Sequence, residues 1–258
     1  MEKITARNND KIKYACSLAA SASKRRESGE FLLEGARLCS DAAQSGIEIV
    51  RAFFTLDARS VYAEYISAVE SVCGECYEIS SEVAQKLSDT GTAQGVFCIC
   101  RMKNRSAGLI EGGRYLALEN IQDPSNIGAI CRSAEALGLS GLIVSGGCDI
   151  YNPKALRAAM GSSLRLSVLI CDNLALFLNS AKGFLRLAAV PDSSAKDIRT
   201  VREDSARGII CCVGNEGNGL SDETIGACDE KVTIPMQGRA ESLNASAAAA
   251  ILAWELKR

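Results

Sequence analysis

Tyr115-Leu116-Ala117-Leu118-Glu119-Asn120-Ile121-Gln122-Asp123-Pro124-Ser125-Asn126-Ile127-Gly128 decides the fold of the second half of this chain of 258 residues. Tyr115–Leu118 is a short apolar run that reads as a buried strand. Asp-Pro-Ser-Asn then marks a turn and a helix start. The same strand–loop–helix rhythm recurs to the end. Further strands are expected at Leu142–Ser145, Val168–Cys171, Leu185–Val190, Ile209–Val213 and Val232–Ile234, with helices between. Alternating apolar strands and helices make a mostly parallel sheet covered on both faces. Such sheets bind ligands beyond the carboxyl ends of their strands. From patterning alone the expected form is an open, doubly wound sheet.

Working outward, the centre of the chain reads as a linker. Lys103-Asn104-Arg105-Ser106-Ala107-Gly108 is basic, small and glycine-containing, and Gly112-Gly113 follows. This divides the chain into domains 1–105 and 106–258. The first half suits a smaller α/β domain. Helices are expected near 8–21, with Ile12, Cys16 and Ala19 or Ala20 on one face, at 35–44 and at 61–72. Strands are expected at Phe31–Leu33, Ile47–Thr55 and Val96–Cys100.

Composition sets limits. The 29 basic and 31 acidic residues leave a formal charge of −2, which argues against a polybasic coat or membrane anchor but leaves room for a local basic patch. The chain is 47% hydrophobic, which excludes a disordered polymer. Met1-Glu2-Lys3-Ile4 opens no apolar signal region, and a cytoplasmic location is expected. The twelve cysteines are then reduced thiols, and Cys98, Cys100, Cys171, Cys211 and Cys212 lie in apolar runs as small hydrophobes. Cys73-Gly74-Glu75-Cys76 has zinc-like spacing but lacks two further ligands, so no metal is expected. The chain has no histidine, which removes every histidine-based triad or general base.

Three segments after the strands carry the chemistry. The first is 120–128, leading into a helix on which Gly128 and Arg132 share a face at i and i+4. Arg132 suits a bidentate grip on phosphate. The second is Gly214-Asn215-Glu216-Gly217-Asn218-Gly219-Leu220. It is neither the dinucleotide glycine fingerprint nor a P-loop, so a nicotinamide oxidoreductase is disfavoured. The third is Ile234-Pro235-Met236-Gln237-Gly238 with Ser242-Leu243-Asn244-Ala245-Ser246. Taken singly, a plain turn explains the second and ordinary helix capping the third. Ala247–Ala250, Ile251, Leu252 and Trp254 then form a helix suited equally to a core or to a subunit interface.

Together, in this order and spacing, the segments resemble the three motifs of the SpoU (TrmH) family of RNA ribose methyltransferases, in the SPOUT superfamily. Ala245 stands where a bulkier β-branched residue is common. The resemblance implies an α/β fold in which a trefoil-knotted parallel-sheet methyltransferase domain follows a smaller ribosomal-protein-like α/β substrate-binding domain. It implies a homodimer through the C-terminal domain, S-adenosylmethionine as methyl donor, and methyl transfer to a ribose 2′-hydroxyl of RNA. Ribosomal RNA is favoured over transfer RNA. It places Arg132, Asn126, Glu216, Ser242 and Asn244 in the catalytic site. Asn126 would position Arg132 or the ribose, and Glu216 would orient Arg132 or the neighbouring loops. Gly214, Ile234, Leu243, Asn215, Gly219 and Met236 would hold the cofactor, largely through backbone groups. Arginine is almost always protonated, so stabilising a developing 2′-oxyanion is easier to defend for Arg132 than acting as a base.

The first half is similar to the family's substrate-binding domains over residues 4–9, 24–26 and 31–35. Residues 1–30 hold seven Lys/Arg against four Asp/Glu, and Arg7, Lys11, Lys24, Arg25 and Arg26 are the expected RNA contacts. The alternatives are the same reaction on transfer RNA, methylation of a base on the same fold, and a non-catalytic RNA-binding or ribosome-assembly protein. Base-methylating relatives differ at these motifs, and the retained polar set argues against a binding-only role.

Overall fold

The computed structural model describes residues 1–103, 108–201 and 207–257. The centre of the expected linker, 104–107, lies outside them. The chain forms two compact units, Met1–Asn104 with Tyr151–Leu164, and Arg105–Ile150 with Arg165–Arg258. The return of 151–164 to the first unit differs from the simple division at 105/106. Its physical cause is packing: the Tyr151 ring sits 4.5 Å from that of Phe31, a distance typical of attractive ring pairs.

The first unit contains β1 (Glu2–Ile4), α1 (Asp10–Ala20), α2 (Ala22–Ser28), β2 (Glu30–Glu34), α3 (Ala36–Gln44), β3 (Ile49–Phe54), α4 (Leu56–Val61), α5 (Ala63–Glu70), β4 (Cys76–Ile79), α6 (Ser81–Leu87) and β5 (Val96–Arg101). Among the described residues its sheet runs β1-β4-β3-β5-β2. β5 is antiparallel to both neighbours, with Phe31 opposite Cys100 and Phe53 opposite Phe97, whereas β4 is parallel to β1 and β3. The expected strands 31–33, 47–55 and 96–100 are present. β1, α2, β4 and α6 were not foreseen, because each has only three to seven residues and little periodicity. The expected helix 61–72 is α5, and α4 before it, separated from it at Tyr62 (φ −116°, ψ 33°), was not foreseen either. α1 buries Ile12 of the expected face together with Ala15 and Leu18, while Cys16 and Ala19 sit at the margin of the core. The large Leu18 side chain gains most from burial and sets the helix rotation.

The second unit contains β6 (Arg114–Glu119), α7 (Pro124–Ala136) and β7 (Gly141–Ser145). The excursion into the first unit carries α8 (Pro153–Ala159), and α9 (Ser162–Arg165) leads back. There follow β8 (Val168–Cys171), α10 (Leu174–Ser180), β9 (Phe184–Ala189), β10 (Lys196–Asp197), β11 (Gly208–Val213), α11 (Asp222–Gly226), β12 (Glu230–Thr233) and α12 (Ala245–Leu256). Among the described residues the sheet order is β10-β12-β9-β11-β6-β7-β8, and every pair is parallel. All six strands expected from the apolar runs are present, and only the two-residue β10 is additional. Its core includes Tyr115, Ala117, Ile143, Leu178, Ile210 and Cys212.

The order explains where a site can form. β6 leads outward to β7 and β8 on one side, while its other neighbour, β11, belongs to the later strands. Val213 lies opposite Leu118 in register, so the loops after these strands leave the sheet side by side. That is the switch point at which open parallel sheets bind ligands. α12 packs on α7, which brings the third polar segment to the same place.

Candidate active site

Each polar segment is fixed by its local sequence. Asp123 caps α7 through the Ser125 amide, and Pro124 at the first turn costs the helix no hydrogen bond. Asn244 caps α12, its Oδ1 accepting from the Ser246 and Ala247 amides at 3.0 and 3.3 Å. In the middle segment, Asn215 and Gly219 exchange backbone hydrogen bonds at 3.0 Å each, closing a tight loop. Asn215 Oδ1 accepts the Gly217 and Asn218 amides inside it.

One hydrogen-bonded chain joins all three segments. Asn126 donates from Nδ2 to Glu216 Oε1 at 2.8 Å, and Asn244 donates from Nδ2 to Asn126 Oδ1 at 3.1 Å. Glu216 also accepts the backbone amides of Gln122 at 3.2 Å and Asp123 at 3.5 Å. Asn215 Nδ2 donates to the Asn120 carbonyl at 2.8 Å. Asn126 is buried at 8% exposure, so both ends of its amide need partners, and both have them. Partial burial pushes the Glu216 carboxyl upward, but the hydrogen bonds from Asn126 and the backbone amides outweigh it and hold the group below the usual carboxylate range.

Gly214 shows why this loop needs glycine. A Cβ there would lie 2.1 Å from the Gly219 carbonyl carbon and 2.3 Å from the Leu220 nitrogen. The loop is therefore walled by backbone rather than side chains. Met236 and Leu243, each 38% exposed, add accessible apolar surface on the third segment, and Ile234 is half-buried. Backbone amides and carbonyls beside apolar side chains suit a neutral heterocycle with a hydrogen-bonding edge, so the residues present fit an adenosyl group.

Arg132 is exposed on α7 and makes no hydrogen bond or ion pair among the described residues. Glu216 is hydrogen-bonded to Asn126 and to the loop backbone, and among the described residues it does not pair with Arg132. Ser242 is exposed and takes no part in the hydrogen-bonded chain. Gly128 is buried within the unit.

Sequence reasoning missed two supports. Glu119, at 8% exposure, accepts from the Ser221 amide and hydroxyl at 2.8 Å each and from Thr224 Oγ1 at 2.6 Å, tying β6 to the start of α11. Gly147 (φ +74°) lies so close to the first loop that a Cβ would sit 2.3 Å from the Ile121 carbonyl oxygen, and the next amide, Cys148, donates to that oxygen at 2.7 Å. Gly146-Gly147 directly after β7 was the available signal.

The expected RNA contacts divide. Arg7 and Arg26 are exposed, Lys24 pairs with Glu27 at 3.1 Å, and Lys11 lies 5.1 Å from the Tyr77 ring centre. Arg25 is a correction. It is buried at 2% exposure and donates from Nη1 to the Leu18 and Ala19 carbonyls at 2.6 and 3.1 Å. It satisfies the last carbonyls of α1 and cannot present its charge to RNA. All twelve cysteines are free thiols. Burial and the neighbouring Cys73 push the Cys76 thiol up to about 12. Among the described residues there is no cluster of three or more metal-ligating side chains.

Comparison with known proteins gives the family. Residues 113–254 match the model of the SpoU rRNA Methylase family, and residues 9–98 match an MRM3-like substrate binding domain. The chain is 27% identical to the 23S rRNA (guanosine(2553)-2'-O)-methyltransferase RlmP of Bacillus subtilis, over 100% of both chains. It is 29% identical to the 23S rRNA (uridine(2479)-2'-O)-methyltransferase of Streptomyces viridochromogenes, over 99% of this chain and 92% of that one. The AdoMet-bound rRNA methyltransferase from Sinorhizobium meliloti superposes with a TM-score of 0.86 at 26% identity, covering 99% of this chain and 97% of that one. With its parallel sheet, its three joined motifs and a family match over more than half its length, the chain belongs to the SpoU rRNA methylase family.

Proposed function

We propose that this protein transfers a methyl group from S-adenosylmethionine to a ribose 2′-hydroxyl of ribosomal RNA. The observation that carries the reading is the chain Glu216–Asn126–Asn244, which joins three segments far apart in sequence into one polar site beside a backbone-walled loop. Relatives that methylate 23S rRNA at the 2′-oxygen, and an AdoMet-bound structural neighbour, support it. The trefoil knot implied by the family resemblance is part of this reading.

When bound, S-adenosylmethionine supplies an electrophilic methyl whose leaving group is a neutral thioether, so the protein needs no general acid. Gly214, Asn215, Gly219, Ile234, Met236 and Leu243 would hold the cofactor. Arg132, exposed and unengaged, would grip an RNA phosphate and stabilise the 2′-oxyanion as the hydroxyl proton passes to water or a phosphate oxygen. Asn126 would hold the loops in register for the ribose through its bonds to Glu216 and Asn244. Ser242 and Asn244 would complete the polar wall. Arg7, Lys11, Lys24 and Arg26 would contact the RNA backbone.

α12 supports a homodimer. Ala249, Leu252, Ala253 and Leu256 bury one face, while Ile251 and Trp254 on another are 39% and 57% exposed. A helix apolar on both faces calls for a second cover. A Trp254→Glu variant should sediment as a monomer. Among the described residues no helix is long and apolar enough to cross a membrane. An RNA substrate and twelve free thiols favour the cytoplasm. Labelled methyl transfer to undermodified ribosomal and transfer RNA tests the substrate. Incorporation into ribosomal RNA alone is expected, and incorporation into transfer RNA alone would overturn it.

A further inference from the structure

The first unit holds a cavity of about 410 Å³. Every residue lining it belongs to that unit. It opens between the β2–α3 corner, the segment before β5 and the end of α8. Two of its walls therefore come from the first half of the sequence and one from the second.

Its charged lining sets Arg37 and Arg157 beside the carboxylates Glu34 and Asp41, with Gln94 as a neutral donor. Glu34 at its base is already engaged: it accepts from Ser88 Oγ, from Thr90 Oγ1 at 3.1 Å and from the Asp89 amide at 3.2 Å. It anchors Arg157, whose Nη2 pairs with Asp89 at 2.8 Å while Nη1 stands 3.6 Å from Glu34 Oε2. That Nη1 is buried and donates no hydrogen bond. A buried cationic N–H without an acceptor is costly, and an incoming oxygen would relieve it. Gln94 accepts the Ala36 amide through Oε1 at 3.0 Å, which fixes the side chain and leaves its amide hydrogens to donate. Arg37 is exposed and has no partner among the described residues. Leu38 and the half-exposed Met160 add apolar contact, and a thioether packs well on a flat ring.

Two guanidinium groups, a free amide donor, apolar contact for a ring and room for one small ligand describe a nucleotide. We propose that this cavity receives one unstacked nucleotide of the RNA substrate. Arg37 takes the phosphate, Gln94 and Arg157 read acceptor atoms on the base edge, and Met160 and Leu38 contact its face. The assignment rests on the reading of RNA as substrate and deepens it, by placing a selective element in the unit that matches a substrate-binding domain.

The test is a double variant, Arg37→Ala with Gln94→Ala, in the full chain. Both side chains are exposed, so the fold should be retained. Fluorescence anisotropy with a ribosomal RNA transcript measures binding, and labelled methyl transfer measures KM and kcat. About tenfold weaker RNA binding and a matching rise in KM are expected, as for loss of one charge-assisted hydrogen bond, with kcat and S-adenosylmethionine affinity unchanged. RNA affinity within twofold of the parent would overturn the assignment, and so would a parent chain that binds no RNA. If the parent transfers methyl while the variant binds RNA equally well, the cavity proposal fails and the proposed function stands. If the parent binds RNA without methyl transfer and the variant binds tenfold worse, the proposed function fails and the cavity stands.

Discussion

The two units use polar groups in opposite ways. In the second, Asn126, Glu216, Asn244 and Glu119 spend their hydrogen bonds on one another and on loop backbone, so that loops on neighbouring strands are held as one piece. In the first, much of the polar surface forms peripheral ion pairs, such as Lys24–Glu27 and Arg101–Glu48, worth about 0–1 kcal/mol each. Arg7, Arg26 and Arg37 project from it without engaging a neighbour strongly. The difference teaches a division of labour. Methyl transfer needs preorganised geometry and therefore saturated, mutually braced side chains. Capture of a flexible polyanion needs cations left free to find phosphates.

The sharpest way to break this comparison is at Arg132, a cation of α7 left unengaged among the described residues. Arg132→Ala should cut turnover by about 10²–10³-fold, the cost of losing one oxyanion donor, with the melting temperature unchanged. Undiminished turnover would remove Arg132 from the mechanism.

Bracing is tested at Gly214. Gly214→Ala forces a Cβ against Gly219 backbone, and a destabilisation of about 1–3 kcal/mol is expected, as for other overpacked sites. Calorimetric titration should show S-adenosylmethionine binding weakened at least about tenfold, while RNA affinity changes little. Equal loss of both would contradict the separation of roles.

Neighbouring arginines sharpen the contrast within the first unit. Arg25→Ala should cost about 2–4 kcal/mol in denaturant unfolding, because buried carbonyls lose a charged donor. Arg26→Ala should leave stability within about 0.5 kcal/mol and weaken only RNA binding, lowering its salt slope by about one. The reverse pattern would show the basic stretch misassigned.

The smallest effect is in pH. The Glu216 carboxyl lies below its ordinary value in the folded chain, so its contribution is present above the unfolded value and fades as pH falls through the folded one. Cofactor affinity should therefore be flat from about pH 8 down to about pH 5 as far as Glu216 is concerned, and weaken only in stronger acid. A loss centred near neutrality would assign the site a different titrating group.

Why some of this was legible and some not follows from range. The strands of the second unit are continuous apolar runs, and β8 has the expected bounds Val168–Cys171. The loops after β6 and β11 were legible because parallel sheets place function there. Their mutual bonds were not, since Asn126 and Glu216 are 90 residues apart and nothing local to either names the other. Arg25 failed for a related reason: Lys24-Arg25-Arg26 reads as one basic run until the helix rotation turns the middle residue inward. The return of 151–164 was equally hidden, because the Phe31–Tyr151 contact that marks it is non-local. That contact also makes truncation after residue 103 a poor test of domain roles, since it would strip a packed partner from Tyr151.

The most direct measurement of the central claim is mass mapping of ribosomal RNA after methyl transfer by the intact protein and by Arg132→Ala. The account predicts one nucleotide carrying its new methyl on the ribose 2′-oxygen with the intact protein and none with the variant. A methyl found on the base instead, or an equal yield from the variant, would contradict it.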